Sequence, residues 1–409
     1  MPDHILTDTS DLKALGSAAL FGPNAAGKSN LIKAMYLSQM FIKQGELFDR
    51  KIRCALPFLL EGESNPQSRF EYCFSQDGVI YIYGFVVTED EVQEEWLYRQ
   101  KGKRQSMLFE RCIKNGKPHI VFGKQLEETY GNKAGELLSN KSLFLTVLGA
   151  RNDFLIPVWN WLTSTLCIIP VAPFQCTDLG LYVKENPEFG SFLSSFLREC
   201  DTGIKNVECV DEDNPPEFIK KDVEKKCKEL LRNNPKARFE LSCIVLKSRH
   251  STADNADTVL FDIAKESDGT QQLMHLAWFL YLLQKQEMVL VVDELDRSLH
   301  TFLTREVMSQ FRALNQASGK CSQLIVTTHD TNLMDANFLR KDEIWLISKN
   351  PGEASQLTSL AEFKTNSGIN FEKMYLNGRF GGVPFVDHSL WGSLFNEEPD
   401  SLTPQLQEH

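Results

Sequence analysis

Apolar positions along the chain change period several times, and each change marks a different kind of element. The run Ala18-Ala19-Leu20-Phe21 predicts a short buried strand, followed by a glycine-containing turn and a helix over about Lys28 to Met40. From about Arg69 to Tyr98 apolar and polar residues alternate, in Phe70-Glu71-Tyr72-Cys73-Phe74 and again from Val79 to Val87, with Gln76-Asp77-Gly78 between them. Period-two alternation around an Asp-Gly turn predicts an antiparallel sheet. Residues from about Leu126 to Leu166 predict helices, and Leu166-Cys167-Ile168-Ile169 a strand end. The stretch near 180 to 240 is rich in Lys and Glu and reads as mostly helical, with Glu217 to Cys227 forming a solvated charged face. Leu273 to Leu283 is the longest apolar run; it predicts a buried helix and is too short to span a bilayer. Met288 to Val292 and Gln323 to Thr328 are continuous apolar runs, the pattern of parallel strands covered on both faces, and Ile344-Trp345-Leu346-Ile347 predicts a further strand.

These elements together predict an α/β fold with a mostly parallel core sheet, an antiparallel side sheet and a helical lobe. At 409 residues the chain exceeds one typical domain. The pattern divides it into a first lobe over 1–125, a mostly helical lobe or insertion over 126–260, a return to the core over 261–390, and a tail over 391–409. The tail has the composition of a disordered end. Hydrophobic residues make up 42% and charged residues 24%, ordinary for a soluble globular protein. The net charge of -11 argues against coating nucleic acid by bulk electrostatics, though a local basic groove stays open. The ten cysteines contain no C-x-x-C pair, so neither a zinc site nor a redox pair is suggested. With a start, Met1-Pro2-Asp3-His4, unlike a secretory signal, the expected place is the cytoplasm.

The chemistry begins at Gly22-Pro23-Asn24-Ala25-Ala26-Gly27-Lys28-Ser29-Asn30, a complete G-x-x-x-x-G-K-S phosphate-binding loop. Gly22 and Gly27 let the backbone turn so that successive N–H groups face phosphate oxygens; Lys28 reaches the β/γ-phosphates and the Ser29 hydroxyl ligates Mg²⁺. The helix that follows aims its positive end at the same anion. A glycine-rich turn before a helix also arises from packing alone, but strand, loop and helix in register favour a nucleoside triphosphate. The strand ending at Val292 runs into Asp293-Glu294. Asp293 is the candidate Mg²⁺ carboxylate and Glu294 the candidate base for the attacking water, although paired acids also occur at ordinary strand ends. His329, after the next apolar strand, reads on its own as a polar cap. Glu266-Ser267-Asp268-Gly269-Thr270 precedes a helix, and alone reads equally as an N-cap turn.

Taken with Leu295-Asp296-Arg297-Ser298-Leu299-His300, Thr328-His329-Asp330 and the late Tyr375-Leu376-Asn377-Gly378-Arg379-Phe380-Gly381-Gly382-Val383-Pro384, these segments resemble one bacterial family. It is the compact ABC-type AAA-family ATPases found with abortive-infection and other phage-defence genes. Pro57 to Leu60 and Glu95 to Tyr98 fit the first lobe of that family. The resemblance implies an ABC-ATPase head that hydrolyses ATP with Mg²⁺. It implies that Asp296 and Ser298 form a D-loop, that His329 is a switch histidine, and that Ser267, Gly269 and Thr270 form a signature loop contacting nucleotide held by a second subunit. A homodimer or higher homo-oligomer follows, acting as a nucleotide-switched regulator of a separate toxic effector, a nuclease or toxin from a neighbouring gene. The alternative is a DNA-repair or chromosome-associated ATPase; the lack of long coiled-coil arms and the acidic charge count against it. Members of the family begin with a strand pair beside the adenine, and Met1 to Lys13 is too short and polar to supply all of it.

Overall fold

The computed structural model describes residues 4–7, 12–45, 51–56, 58, 60, 67–130, 138–171, 176–212, 243–254, 257–364, 370–381 and 383. The expected tail and the Glu217 to Cys227 helix lie outside them.

The centre is a six-stranded sheet in the order β16-β15-β3-β14-β13-β9. Its members are β3 (Ser17–Phe21), β9 (Leu166–Ile169), β13 (Val289–Val292), β14 (Gln323–Thr327), β15 (Ile344–Lys349) and β16 (Ser355–Ser359). All neighbours are parallel except β15 and β16, which form an antiparallel edge hairpin. The run Val-Leu-Val-Val of β13 is buried throughout because alternate residues enter two different cores. Val289 and Val291 face the core shared with the first lobe, while Leu290 and Val292 face the opposite one with Phe21, Met308 and Phe311.

The first-lobe sheet is an antiparallel meander of β4 (Ser68–Gln76), β5 (Val79–Val87), β6 (Val92–Lys101), β7 (Arg104–Lys114) and β8 (Lys117–Phe122). Asp77 and Gly78 both take positive φ, 52° and 73°, the backbone a two-residue hairpin needs to match strand twist. One face packs Tyr83, Phe85, Leu97 and Phe109 against α1 (Lys28–Gln44), through Ile32, Phe41 and Ile42, and against α3 (Phe144–Leu148). Two short helices of the 126–166 region, α2 (Lys124–Tyr130) and α4 (Ile156–Asn160), complete the layer, and a single π-helical turn at Trp161–Thr165 leads into β9.

Glu95 sits on this apolar face and is wholly buried. It lies opposite Arg111, whose guanidinium is 3.7 Å away, and accepts from Tyr83 (3.0 Å) and from the Phe144 and Leu145 N–H groups (2.6 and 3.0 Å) that open α3. Burial pushes the Glu95 carboxyl up and the Arg111 guanidinium down, so desolvation outweighs their mutual attraction. Such a pair contributes little net stability, yet removing one partner strands the other. Arg111→Met is therefore expected to cost about 3–5 kcal/mol, read as a lower urea unfolding midpoint; a loss under about 1 kcal/mol would mean that Glu95 is satisfied without its partner.

The middle region differs from the mostly helical expectation. Helices α5 (Cys176–Glu185) and α6 (Pro187–Glu199) are present, but Asn206–Glu212 is a strand, β10, in a three-stranded antiparallel sheet with β11 (Cys243–Ser251) and β12 (Thr258–Asp262). Its Lys/Glu-rich surroundings hid a period-two pattern: Val207 is buried with Leu246 under α5 and α6, while Glu208 pairs with Arg249 across the sheet. Helix α7 (Asp268–Lys285) is buried on two sides, giving Leu273, Met274 and Ala277 to this third core and Leu276, Leu280 and Leu283 to the central one. That explains its apolar run.

Ahead of β3, Ile5–Thr7 (β1) and Lys13–Leu15 (β2) form an antiparallel pair. The pair is anchored by His4, whose Nδ1 lies 2.6 Å from the buried Glu343 carboxylate; Ser17 donates to the same carboxylate at 2.6 Å.

Candidate nucleotide site

Because β3, β13 and β14 are parallel neighbours in the sheet, their C-terminal ends open on one edge. The phosphate loop leaves β3 there, Asp293-Glu294 leaves β13, and Thr328-His329 leaves β14. Three segments far apart in sequence thus meet through strand direction alone.

Within the loop, Gly22 has no room for a side chain: an added Cβ would lie 2.4 Å from the Ile347 carbonyl oxygen of β15. Ala25 and Gly27 take positive φ, 63° and 109°, turning the chain into α1. Asn24, Ala25, Ser29 and Asn30 are exposed and Ala26 is buried, so the loop lies as an open rim on a packed base. Lys28 is only 6% exposed and folds over the loop, its ammonium donating to the Gly22 carbonyl at 2.7 Å and that of Pro23 at 3.2 Å. Burial lowers its pKa, and the nearby charges of Asp293, Glu294 and Asp296 oppose that shift.

The Ser29 hydroxyl donates to Asp293 Oδ1 at 3.3 Å, which joins the two candidate Mg²⁺ groups. A hydroxyl and a carboxylate are hard oxygen donors, and a two-member protein set fits a cation that keeps waters and takes phosphate oxygens. Among the described residues no cluster of three or more His, Cys, Asp or Glu side chains offers a rival metal site.

Thr327 was not singled out in the sequence, yet it organises this edge. Fully buried, it donates through Oγ1 to Asp293 Oδ1 at 2.5 Å and accepts the Glu294 N–H at 2.7 Å. One hydroxyl at the end of β14 therefore fixes both acids of β13; the available signal was a threonine pair closing an otherwise aliphatic strand. Glu294 is held at φ 50°, and the next residue, Leu295, is fully buried and donates to the Thr327 carbonyl at 3.0 Å. A non-glycine residue in the left-handed region costs on the order of 1–3 kcal/mol and persists only where its surroundings impose it.

Asp296 and Ser298 extend the edge sideways. The Asp296 carboxylate accepts the His329 N–H at 3.1 Å, placing the two candidates together. Ser298 takes φ 58°, and its carbonyl approaches Gly269 so closely that an added Cβ there would sit 2.3 Å away. Ser267 caps α7, its Oγ accepting the Thr270 N–H at 3.2 Å and lying 2.9 Å from Thr270 Oγ1. The N-cap reading of Ser267 is thus realised. Among the described residues no hydrogen bond links Ser267, Gly269 or Thr270 to the phosphate loop of the same chain. The structure brings together Lys28, Ser29, Asp293, Glu294, Asp296 and His329, and the Ser267 segment approaches them where Gly269 meets Ser298.

Cys54, Cys73, Cys112, Cys167, Cys200, Cys209 and Cys321 are free thiols. Among the described residues no helix is long and apolar enough to cross a membrane.

No curated protein matches the chain. Among solved structures it is similar to an Smc head bound to the C-winged helix domain of ScpA, at 14% identity and a TM-score of 0.40, covering 89% of this chain and 95% of that one. It is also similar to the SMC head domain from Thermotoga maritima, at 14% identity and a TM-score of 0.34, covering 83% and 89%. The family model described as "AAA domain, putative AbiEii toxin, Type IV TA system" matches residues 17–112 and 213–335, more than half of the chain. The chain belongs to this family of phosphate-loop ATPase domains.

Proposed function

We propose that the chain binds and hydrolyses ATP as an ABC-type head, and that nucleotide-driven pairing of two heads controls a separate toxic effector in bacterial antiphage defence. The observation carrying this reading is the meeting of the phosphate loop, Asp293-Glu294 and His329 at one sheet edge, tied by the Ser29–Asp293 and Thr327–Asp293 hydrogen bonds. In this reading the backbone from Asn24 to Asn30 cradles the phosphates and Lys28 leaves its loop carbonyls to meet the β/γ-phosphates. Mg²⁺, when bound, neutralises phosphate charge, and Ser29 and Asp293 hold it. Glu294 takes the proton of the attacking water, and His329, positioned through Asp296, hydrogen-bonds the γ-phosphate.

Asn24, Ala25, Ser29 and Asn30 are exposed along one side of the loop, which supports a wall supplied from outside the chain. A second copy supplies that wall with Ser267, Gly269 and Thr270, with the D-loop residues Asp296 and Ser298 between the two sites; a two-fold homodimer is the simplest closed arrangement. The parts 1–125 and 261–390 then form the head together with β9 and the short helices before it, and the region from about 180 to 240 is the contact surface for the effector. The family's description names a toxin and a toxin–antitoxin system, which supports an effector encoded beside this gene. ATP-dependent closure is the two-state element such a regulator needs.

Expression of the gene with its neighbours is expected to protect bacteria against a subset of phages, and Lys28→Ala to abolish protection in plaque counts. Protection surviving the loss of nucleotide binding would overturn the switch. A strong, salt-sensitive affinity of the purified chain for DNA ends would assign it to the DNA-acting class instead.

A further inference from the structure

The edge hairpin of β15 and β16 touches the phosphate loop at both of its glycines. The Ile347 carbonyl of β15 closes the space beside Gly22, and Ser355, the first residue of β16, closes the space beside Gly27, where an added Cβ would lie 2.3 Å from its hydroxyl oxygen. The Ser355 hydroxyl donates to the Ala26 carbonyl at 2.7 Å. Ala26 is buried against Leu20 and Ile347, so the base of the loop is held by the same hairpin. The turn before Ser355 is itself fixed: Asn350 Oδ1 accepts from the Gly352 and Ala354 N–H groups, both at 2.9 Å, and the Asn350 N–H donates to the Ala354 carbonyl at 2.9 Å.

We propose that Ser355 is a positioning residue for phosphate binding: its hydroxyl sets the tilt of the Ala26–Gly27 peptide and so aims the Gly27 N–H at the bound phosphate. The peptide unit is planar and trans, so its carbonyl and N–H point in opposite directions. Pinning the Ala26 oxygen to the hairpin turns the Gly27 N–H away from it. Among the described residues that N–H donates to no protein acceptor. With Gly27 at φ 109°, where glycine is most free, this peptide is the one in the loop most prone to rotate without an external hold. A loop already shaped for its anion has less ordering to do on binding. The neutral hydroxyl–carbonyl bond supplying that hold corresponds to a few-fold to tenfold effect on affinity.

The inference rests on the nucleotide reading of the loop, and the test separates the two. Nucleotide affinity for ATP and ADP, the steady-state KM and kcat, and the nucleotide-free melting temperature are measured for the wild type, Ser355→Ala, Ser355→Thr, Ser355→Val and Lys28→Ala. Ser355→Ala and Ser355→Val are expected to raise Kd and KM by roughly three- to tenfold for both nucleotides, with kcat within about twofold. Ser355→Thr keeps the hydroxyl and is expected to bind like the wild type, while its isostere Ser355→Val does not. Unchanged affinity in Ser355→Ala, or equal losses in the Thr and Val variants, would overturn the positioning role and assign the contact to packing. A wild type that binds no nucleotide, indistinguishable from Lys28→Ala, would overturn the nucleotide reading itself.

Discussion

Glu294→Gln is expected to keep Mg²⁺-ATP binding and lose turnover by roughly 10²–10⁴-fold, the contribution of a positioned general base. The substitution is nearly isosteric, and nothing that places the residue depends on its charge. The backbone is held by the Glu294 N–H bond to Thr327 Oγ1 and by the buried Leu295 that follows it. The Mg²⁺ pair Ser29 and Asp293 is untouched, since Asp293 is anchored independently by the Thr327 hydroxyl. Phosphate release under saturating ATP, paired with a direct binding measurement, separates the two effects. Full turnover in the purified variant would remove Glu294 from the role. Thr327→Val gives a useful contrast: it leaves both acids chemically intact but removes the one hydroxyl that orients them, so it should impair both binding and turnover.

What the sequence revealed about this site follows from how each part is built. The phosphate loop was legible because backbone geometry imposes glycine at fixed positions within a few residues. The parallel strands were legible because burial on both faces removes polar residues from short runs, as in Val289 to Val292. The convergence of Asp293 with Ser29 was legible because an acid closing a buried strand beside a phosphate loop is where a Mg²⁺ carboxylate belongs. Contacts made by single polar groups across the fold were not legible at all. Thr327 is one threonine at a strand end, and Ser355 lies in an unremarkable Ala-Ser-Gln stretch whose meaning appears only when β16 folds back beside the loop. The burial of Glu95 and Arg111 was equally hidden, because pattern cannot tell a buried pair from a solvated one. Strand β10 was missed for a related reason: Glu208 on its outer face and Asp211, which pairs with Lys184 at the end of α5, blend with the charged sequence around it.

Mixing two inactive variants should restore activity, and this bears most directly on how the site is completed. Lys28→Ala disables the phosphate-loop side of a site, while Ser267→Arg puts a large cation where the capped N-terminus of α7 would meet the partner's nucleotide. In a two-fold dimer each composite site takes its phosphate loop from one chain and its signature segment from the other. A mixed dimer then contains one site with both lesions and one with neither. Each variant alone should be nearly inactive, and equal mixing with subunit exchange should yield about one working site per mixed dimer. The geometry favours this arrangement, because Gly269 is locked against Ser298 of its own chain, and among the described residues Ser267 and Thr270 share their hydrogen bonds with each other rather than with the phosphate loop. Ser267→Ala serves as a control for folding, since it removes the cap at a cost of about 1 kcal/mol without adding bulk. If heterodimers form, as shown by differently tagged chains, and no activity returns, either the site is completed within one chain or both sites must fire together. A titration of wild type against the doubly substituted chain distinguishes those outcomes: composite sites, coupled or independent, predict activity falling as the square of the wild-type fraction, and a site built within one chain predicts a linear fall.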